Sequence, residues 1–270
     1  MSLRGASADA LAALTTELES VLSGAGSSAS TVGDELFSVA ATLRSEGALR
    51  RFATDGSIPA EAKAGLVQQV FAGKVDGGTL GVLTKAVSSR WTAARDLADT
   101  LEHLGAVAVV RSAGQDGGRL SDELFAFAQV VKANPELRDA LSDPARSIQD
   151  KSSLLHGLLD GKALPATVTL AVQSLSGTHR TVGAALNEYQ KIAAEVHGQG
   201  VATVRVARDL SDAERGRLEQ ALSTQYGRPV HLNLVVDPSV LGGIRVEIGD
   251  DVIDGTVSSR LDDARRRLVG

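Results

Sequence analysis

Few residues in this chain are of types and spacings that could do chemistry, and each group makes a demand on its neighbours. Asp250-Asp251 with Asp254 places carboxylates at one turn, the raw material of a metal site or an acid–base pair. Adjacent carboxylates in a hairpin turn point to opposite sides, and no His or further carboxylate follows at ligand spacing. Asp is also a natural turn residue, which accounts for all three. Leu241-Gly242-Gly243-Ile244 offers a glycine pair ahead of a strand. A phosphate cradle needs glycines that open a helix, with Lys and Ser/Thr behind them, so this pair reads as a kink or bulge leading into the strand. Gly73-Lys74 and Gly161-Lys162 lack the upstream glycine and the hydroxyl, and read as helix C-caps followed by a cation. His103, His156, His179, His197 and His231 form no i,i+4 pair. Arg265-Arg266-Arg267 complements a helix C-terminus or meets an acidic partner. No nucleophile, base or metal set assembles. The expectation is a protein with no catalytic residue, no metal ligand and no cofactor, hence not an enzyme.

Composition narrows the remaining classes. The 270 residues suffice for two or three domains, and 43% apolar content can bury a sizeable core. With 28 basic against 33 acidic residues the net charge is −5, which argues against a nucleic-acid partner, since that needs a concentrated basic face. Cys is absent, excluding a disulfide scaffold, a thiolate nucleophile and Cys-built metal centres. Aromatics are only 3%, so the core is built from Ala, Leu and Val. No apolar run reaches membrane-spanning length and the first residues lack a signal-peptide pattern; a soluble protein with no direct membrane insertion is expected.

The elements that would position any site come from a duplication. Asp34-Glu35-Leu36-Phe37 recurs as Asp122-Glu123-Leu124-Phe125, and the offset of 88 holds without a gap: 12 of the 41 positions from 34 to 74 are identical. Leu49-Arg50 pairs with Leu137-Arg138, Lys63 with Lys151, and Gly73-Lys74 with Gly161-Lys162. Apolar 3–4 spacing predicts helices over Ser7–Leu22, Asp34–Arg44, Glu61–Phe71, Leu80–Val87 and Thr92–Arg111. In Glu61–Phe71 the stripe is Ala62, Leu66, Val67 and Val70; in Thr92–Arg111 it is Leu97, Leu101, Leu104, Ala108 and Arg111. The second copy has Asp122–Lys132, Gln149–Leu159, Pro165–Leu175 and Val182–Val196. A period of 88 leaves no separate linker, so Thr92–Arg111 is expected to close the first bundle and open the second, with Gly114–Gly118 as the turn after it.

Beyond Gly198–Gly200 the pattern changes. Lys disappears after Lys191 and period-2 alternation begins. It predicts strands at Ala202–Val206, Val230–Val236, Ile244–Ile248 and Val252-Ile253. Ser211 to Glu214 is a capping box opening a helix through Leu222, and a last helix carries Val257, Leu261, Ala264 and Leu268 as its buried stripe. The fold class is therefore α+β, mostly α: two tandem helical bundles, 1–111 and 112–197, the second using helix 92–111, and an α+β module over 198–270.

Residues Val236 to Ile244, Ile248 to Val257 and Arg260-Leu261 together closely resemble the signature of the δ subunit of F-type ATP synthases, the family of the oligomycin-sensitivity-conferring protein (OSCP). Its marked positions here are Asp237, Pro238, Gly242, Gly243, Gly249, Asp250, Asp254, Gly255, Arg260 and Leu261. The resemblance extends upstream through Leu137-Arg138, Asp143-Pro144, Lys151, Leu154-Leu155 and Leu158-Leu159. The first helical copy is extra, as in the longer actinobacterial form, and the Arg-over-Lys, Ala-rich composition agrees with a high-GC genome. The resemblance implies a non-catalytic peripheral-stalk subunit on the cytoplasmic face of the plasma membrane. It would tie the catalytic head to the b-type stalk subunit, with a helical groove taking the α subunit's N-terminal helix and other head subunits nearby. By that analogy the groove lies between Thr92–Arg111 and Pro165–Leu175, with Leu104, Val107, Leu170 and Leu175 as its apolar residues. The alternative is a general helical protein-binding adaptor sharing the δ-like module.

Overall fold

In the computed structural model, which describes residues 3–24, 28–249, 251–259, 261 and 266, the repeat is visible as geometry. Helices α1 to α6 run over Ala6–Ser23, Ala29–Ser45, Gly47–Thr54, Ala60–Phe71, Gly77–Ser88 and Ala94–Ser112. Helices α7 (Gly117–Ala133), α8 (Pro135–Ser142) and α9 (Ile148–Leu159) start and end 88 residues after α2, α3 and α4. Helices α10 (Pro165–Gln173) and α11 (Val182–Val196) start 88 residues after α5 and α6, and α6 itself starts 88 residues after α1. Helix α6 is thus last in one copy and first in the next. It packs on α1, α2 and α3 and also on α7 and α10. Serving two sets of neighbours, it buries 12 of its 19 residues, far more than the single stripe of an amphipathic surface helix. One residue of the expected stripe departs from this: Arg111 is exposed. A single 3-10 turn, Gly114–Asp116, joins α6 to α7.

The α2–α6 crossing is close because both helices present glycine. A Cβ on Gly33 would lie 2.5 Å from Val109 Cγ2 and 3.0 Å from the Gly105 carbonyl, and one on Gly105 would lie 2.8 Å from the Phe37 ring.

Periodicity does not predict helices α3 and α8. Each has eight residues and buries only one, Ala53 and Leu141 respectively, too little for a stripe to register. The stripe of α4 also differs from expectation. Lys63 and Val67 are the buried positions, whereas Ala62, Leu66 and Val70 are exposed. Lys63 turns inward because Nζ donates to the carbonyls of Ala53 (3.4 Å) and Asp55 (3.2 Å) at the end of α3, where a cation complements the helix dipole. Burial pushes the Lys63 pKa down, and Asp55 partly opposes this.

The chain divides into two compact units, Met1–Tyr189 and Gln190–Gly270. In the second, β1 (Gly200–Val206), β2 (Val230–Val236), β3 (Ile244–Ile248) and β4 (Asp251–Asp254) form one sheet in the order β2-β1-β3-β4. Strands β1 and β2 are parallel, and β3 runs antiparallel to both β1 and β4. Helix α12 (Asp212–Tyr226) connects the parallel pair and contributes Leu222 to a core with Ala202, Val204, Val206, Val230, Leu232, Val246 and Ile248. The Ser211–Glu214 capping box forms as expected, and Gly227, in the left-handed region at φ 65°, ends the helix. Asn233 Nδ2 donates to Gln190 Oε1 at 3.2 Å, between buried side chains.

The expected buried stripe of the last helix does not hold where it is described: Val257 and Leu261 are both exposed. Asp250, Arg260, Ala264, Arg265, Arg267 and Leu268 lie outside the described residues.

Candidate functional site

Three surfaces bear on function. The first is the expected groove between α6 and α10. These two helices pack directly on each other. Leu104 and Leu170 are fully buried, so they hold the bundle together and do not line an open groove. Val107 is partly buried against the core of the first copy, and Leu175, just beyond the end of α10, is half-buried. An open cleft of about 520 Å³, with none of these four among its described lining residues, is bordered by Asp34 and Phe37 of α2, His156 and Asp160 at the end of α9, and Val168 and Val172 of α10. His156 Nδ1 lies 3.1 Å from Asp160 Oδ1. Partial burial, with Glu35 adding to it, pushes the Asp34 carboxyl pKa up.

The second surface belongs to the first copy. A cavity of about 90 Å³ is walled by apolar side chains of α2 to α6, with Leu49, Ala53, Leu66, Val70 and Phe71 among them.

The third is the signature region, and the structure gives its residues backbone-shaping roles. Asp237 Oδ1 accepts from Ser239 N (2.9 Å) and Oγ (2.6 Å), turning the chain after β2. Gly243, at φ 82°, leads into β3, and a Cβ there would overlap the Gly255 carbonyl. Gly255 N donates to the Ile244 carbonyl (2.9 Å) and Val257 N to the Gly242 carbonyl (2.9 Å). Asp254 Oδ1 accepts from Thr256 N (3.0 Å) and Oγ1 (2.7 Å), bonds that hold its carboxyl below the usual range. Gly249 takes φ 58° between β3 and β4. The expected reading of these acids and glycines as turn-formers fits this geometry. The region also exposes large apolar side chains, Leu241 at 77% and Leu261 at 60%, beside the exposed Asp251 and Asp254.

Sequence reasoning missed a polar cluster that joins the two copies. Glu102 of α6 accepts from Arg44 Nη2 of α2 and from Thr178 N (3.0 Å) and Oγ1 (2.6 Å), in the segment after α10. Arg44 also bonds Asp99 at 3.1 Å. A Cβ on Gly177 would overlap the Glu102 carboxylate. Burial, with the neighbouring Glu102 charge, pushes the Tyr189 hydroxyl pKa far up, and Arg44 opposes it. Glu102 and Gln190 are repeat-equivalent and both buried, but Gln190 bonds Asn233 and not the repeat equivalent of Arg44, Lys132, so the repeat carries no signal for the cluster. Among the described residues no group of His, Asp and Glu is placed to hold a metal ion, and no helix is long and apolar enough to cross a membrane.

The comparisons with known proteins agree over nearly the whole chain. The ATP synthase delta (OSCP) subunit family model matches residues 105–268. ATP synthase subunit delta of a Nocardioides species is 62% identical over 100% of this chain and 98% of its own length. Those of Kineococcus radiotolerans and Streptomyces avermitilis are 44% and 41% identical, over 98% and 100% of this chain and 98% and 100% of theirs. A chain in the Toxoplasma gondii mitochondrial ATP synthase hexamer, solved by cryo-EM, is similar at 21% identity and TM-score 0.36, covering 61% of this chain and 95% of that one. This chain belongs to the ATP synthase delta (OSCP) subunit family.

Proposed function

We propose that this chain is the non-catalytic peripheral-stalk subunit of a proton-translocating F-type ATP synthase, linking the catalytic head to the stalk so that the head resists rotor torque. The observation that carries the reading is the full-length similarity to delta subunits, first helical copy included. The chain works as three parts, 1–111, 112–197 with helix 92–111 shared, and 198–270, on the cytoplasmic face of the plasma membrane. The helical part takes the N-terminal amphipathic helix of the α subunit, the helix-in-groove mode. The half-buried Val107 and Leu175 and the open cleft beside α10 support that assignment, whereas the buried Leu104 and Leu170 serve only to shape it. The C-terminal part engages the b-type subunit, and the exposed Leu241, Val257 and Leu261 support this.

Two experiments test the reading. Pull-down of the tagged chain from detergent-solubilised membranes of its own host should bring α, β and b subunits together. An α N-terminal peptide should bind the wild-type chain and lose at least tenfold in affinity to a Val107→Asp/Leu175→Asp variant that keeps its fold by circular dichroism. Failure of the pull-down overturns the stalk role. Unchanged peptide affinity overturns only the groove assignment.

A further inference from the structure

We infer that the open cleft between the two helical copies is a docking site for a lysine or arginine side chain carried on a partner helix. The cleft is framed by α2 of the first copy and by α10 and the end of α9 of the second, all within the unit Met1–Tyr189. Its apolar part includes Phe37 and Val168, both buried, and the half-buried Val172. Its charged border is Asp34, His156 and Asp160, with no Lys or Arg among the described lining residues. Lys162, which follows the lining Gly161, is exposed and stays outside that lining. Asp160 has His156 as its partner at 3.1 Å. Asp34 is different. Of the tetrad it opens, Leu36 and Phe37 are buried and Glu35 accepts the Asp76 N–H, whereas Asp34 makes no hydrogen bond or ion pair among the described residues. Whichever charge His156 carries, carboxylates outnumber cations at this border.

Charge and shape together select the occupant. A bare metal ion does not suit, because among the described residues no three of His, Asp and Glu converge to hold one. A long basic side chain does, since its methylene stem lies along apolar surface while its head meets a carboxylate. Partial burial and the neighbouring Glu35 push the Asp34 carboxyl pKa up, and an incoming cation opposes both causes. An acidic partner would meet like charge on both sides of the cleft. The side chain arrives on a helix because the walls are helices whose backbone bonds are internal. They present no strand edge, so a partner must bring its own backbone hydrogen bonds already made. The inference deepens the helix-in-groove reading and rests on it for the form of the occupant, though not for the subunit that supplies it.

The test uses the full chain and three synthetic amphipathic helical peptides of about 18 residues, identical in their Leu face and carrying Lys, Gln or Glu as the polar residue. Binding is read by fluorescence anisotropy. The wild type should bind the Lys peptide at least tenfold more tightly than the Gln peptide, and the Glu peptide more weakly still. Asp34→Asn/Asp160→Asn should weaken the Lys peptide at least tenfold. Glu61→Gln/Glu136→Gln removes the same two charges at exposed positions outside the cleft and should change its affinity less than twofold. Asp34→Lys/Asp160→Lys should reverse the preference toward the Glu peptide, and it decides alone if the Asn variant does not fold. No binding to the wild type, or equal affinity for the Lys and Gln peptides, overturns the inference. So does an equal effect of the cleft and control variants, which would reduce the preference to the net charge of the chain. Binding of the α N-terminal peptide unaltered by Asp34→Asn/Asp160→Asn overturns this inference and leaves the groove assignment standing. Intact selectivity for the Lys peptide without binding of the α peptide upholds it and overturns only the α assignment.

Discussion

Glu35 and Glu123, 88 residues apart, make the same bond in each helical copy. Glu35 accepts the Asp76 N–H through both oxygens at 3.0 Å, and Glu123 accepts the Leu164 N–H at 2.8 Å. Asp76 and Leu164 are the residues just before α5 and α10. Each glutamate, reaching across from α2 or α7, therefore meets the positive end of another helix and satisfies one of its orphan donors. This accounts for the glutamate of the recurring Asp-Glu-Leu-Phe tetrad in both copies.

Replacing either glutamate should destabilise the helical unit, and by unequal amounts. Glu35→Ala removes one charge-assisted cap, worth roughly 1–2 kcal/mol. Glu123 also accepts from Thr167 Oγ1 at 2.6 Å and from Arg119 at 2.8 Å. Glu123→Ala should therefore cost about 1 kcal/mol more than Glu35→Ala. Urea unfolding followed by far-ultraviolet circular dichroism measures both, and equal losses would contradict the account.

Glycines divide by what surrounds them. Gly33→Ala drives a methyl into Val109 and the Gly105 carbonyl across the α2–α6 crossing, and should cost about 2–3 kcal/mol through overpacking. Gly65, exposed inside α4, has nothing within 4 Å of the place a methyl would occupy. Gly65→Ala should stabilise by about 0.5–1 kcal/mol, the helix-propensity difference. The two variants should shift the melting temperature in opposite directions.

The Glu102 cluster predicts a non-additive pair. Glu102→Ala leaves Arg44 partly buried without its nearest carboxylate and should cost about 2–4 kcal/mol, discounted for the quarter of the Arg44 side chain that water reaches. The double variant Arg44→Met/Glu102→Met buries no charge. It should be less destabilised than Glu102→Ala alone, as a double-mutant cycle in urea would reveal.

These relationships are unevenly legible in the sequence. The duplication, the shared helix and all four strands can be read because apolar periodicity and an ungapped offset are properties of the chain itself. Helices α3 and α8 escape because eight residues burying one side chain leave no period to detect. Spacing points Leu66 and Val70 inward, but Lys63 turns that face of α4 toward the end of α3, a tertiary demand that no local pattern encodes. Leu104 and Leu170 read equally well as groove or core. Only the direct packing of α6 on α10 decides for core. The turn roles of Asp237, Gly243 and Asp254 are predictable from residue type, whereas the Arg44–Glu102–Thr178 cluster joins residues up to 134 positions apart and has no contiguous signature.

The capping box of α12 gives a prediction in pH. Glu214 accepts from Arg208 Nη2 at 2.7 Å and from Ser211 N at 2.9 Å. The Arg208 bond, with those from Ser211, lowers its pKa from 4.5 to about 2. A carboxylate whose folded pKa is depressed contributes stability that is fully present above its unfolded value. That contribution should hold at neutral pH, decline as pH falls below about 4.5, and be gone below about 2. Carboxyl-carbon NMR should show Glu214 titrating near the lower value in the intact chain. Arg208→Ala should move that midpoint back toward the ordinary carboxylate range while Ser211 still caps the helix. Ser211→Ala should move it upward by a smaller amount, because the Arg208 bond is the larger cause. A midpoint at the ordinary value in the wild type would mean that the capping box does not form.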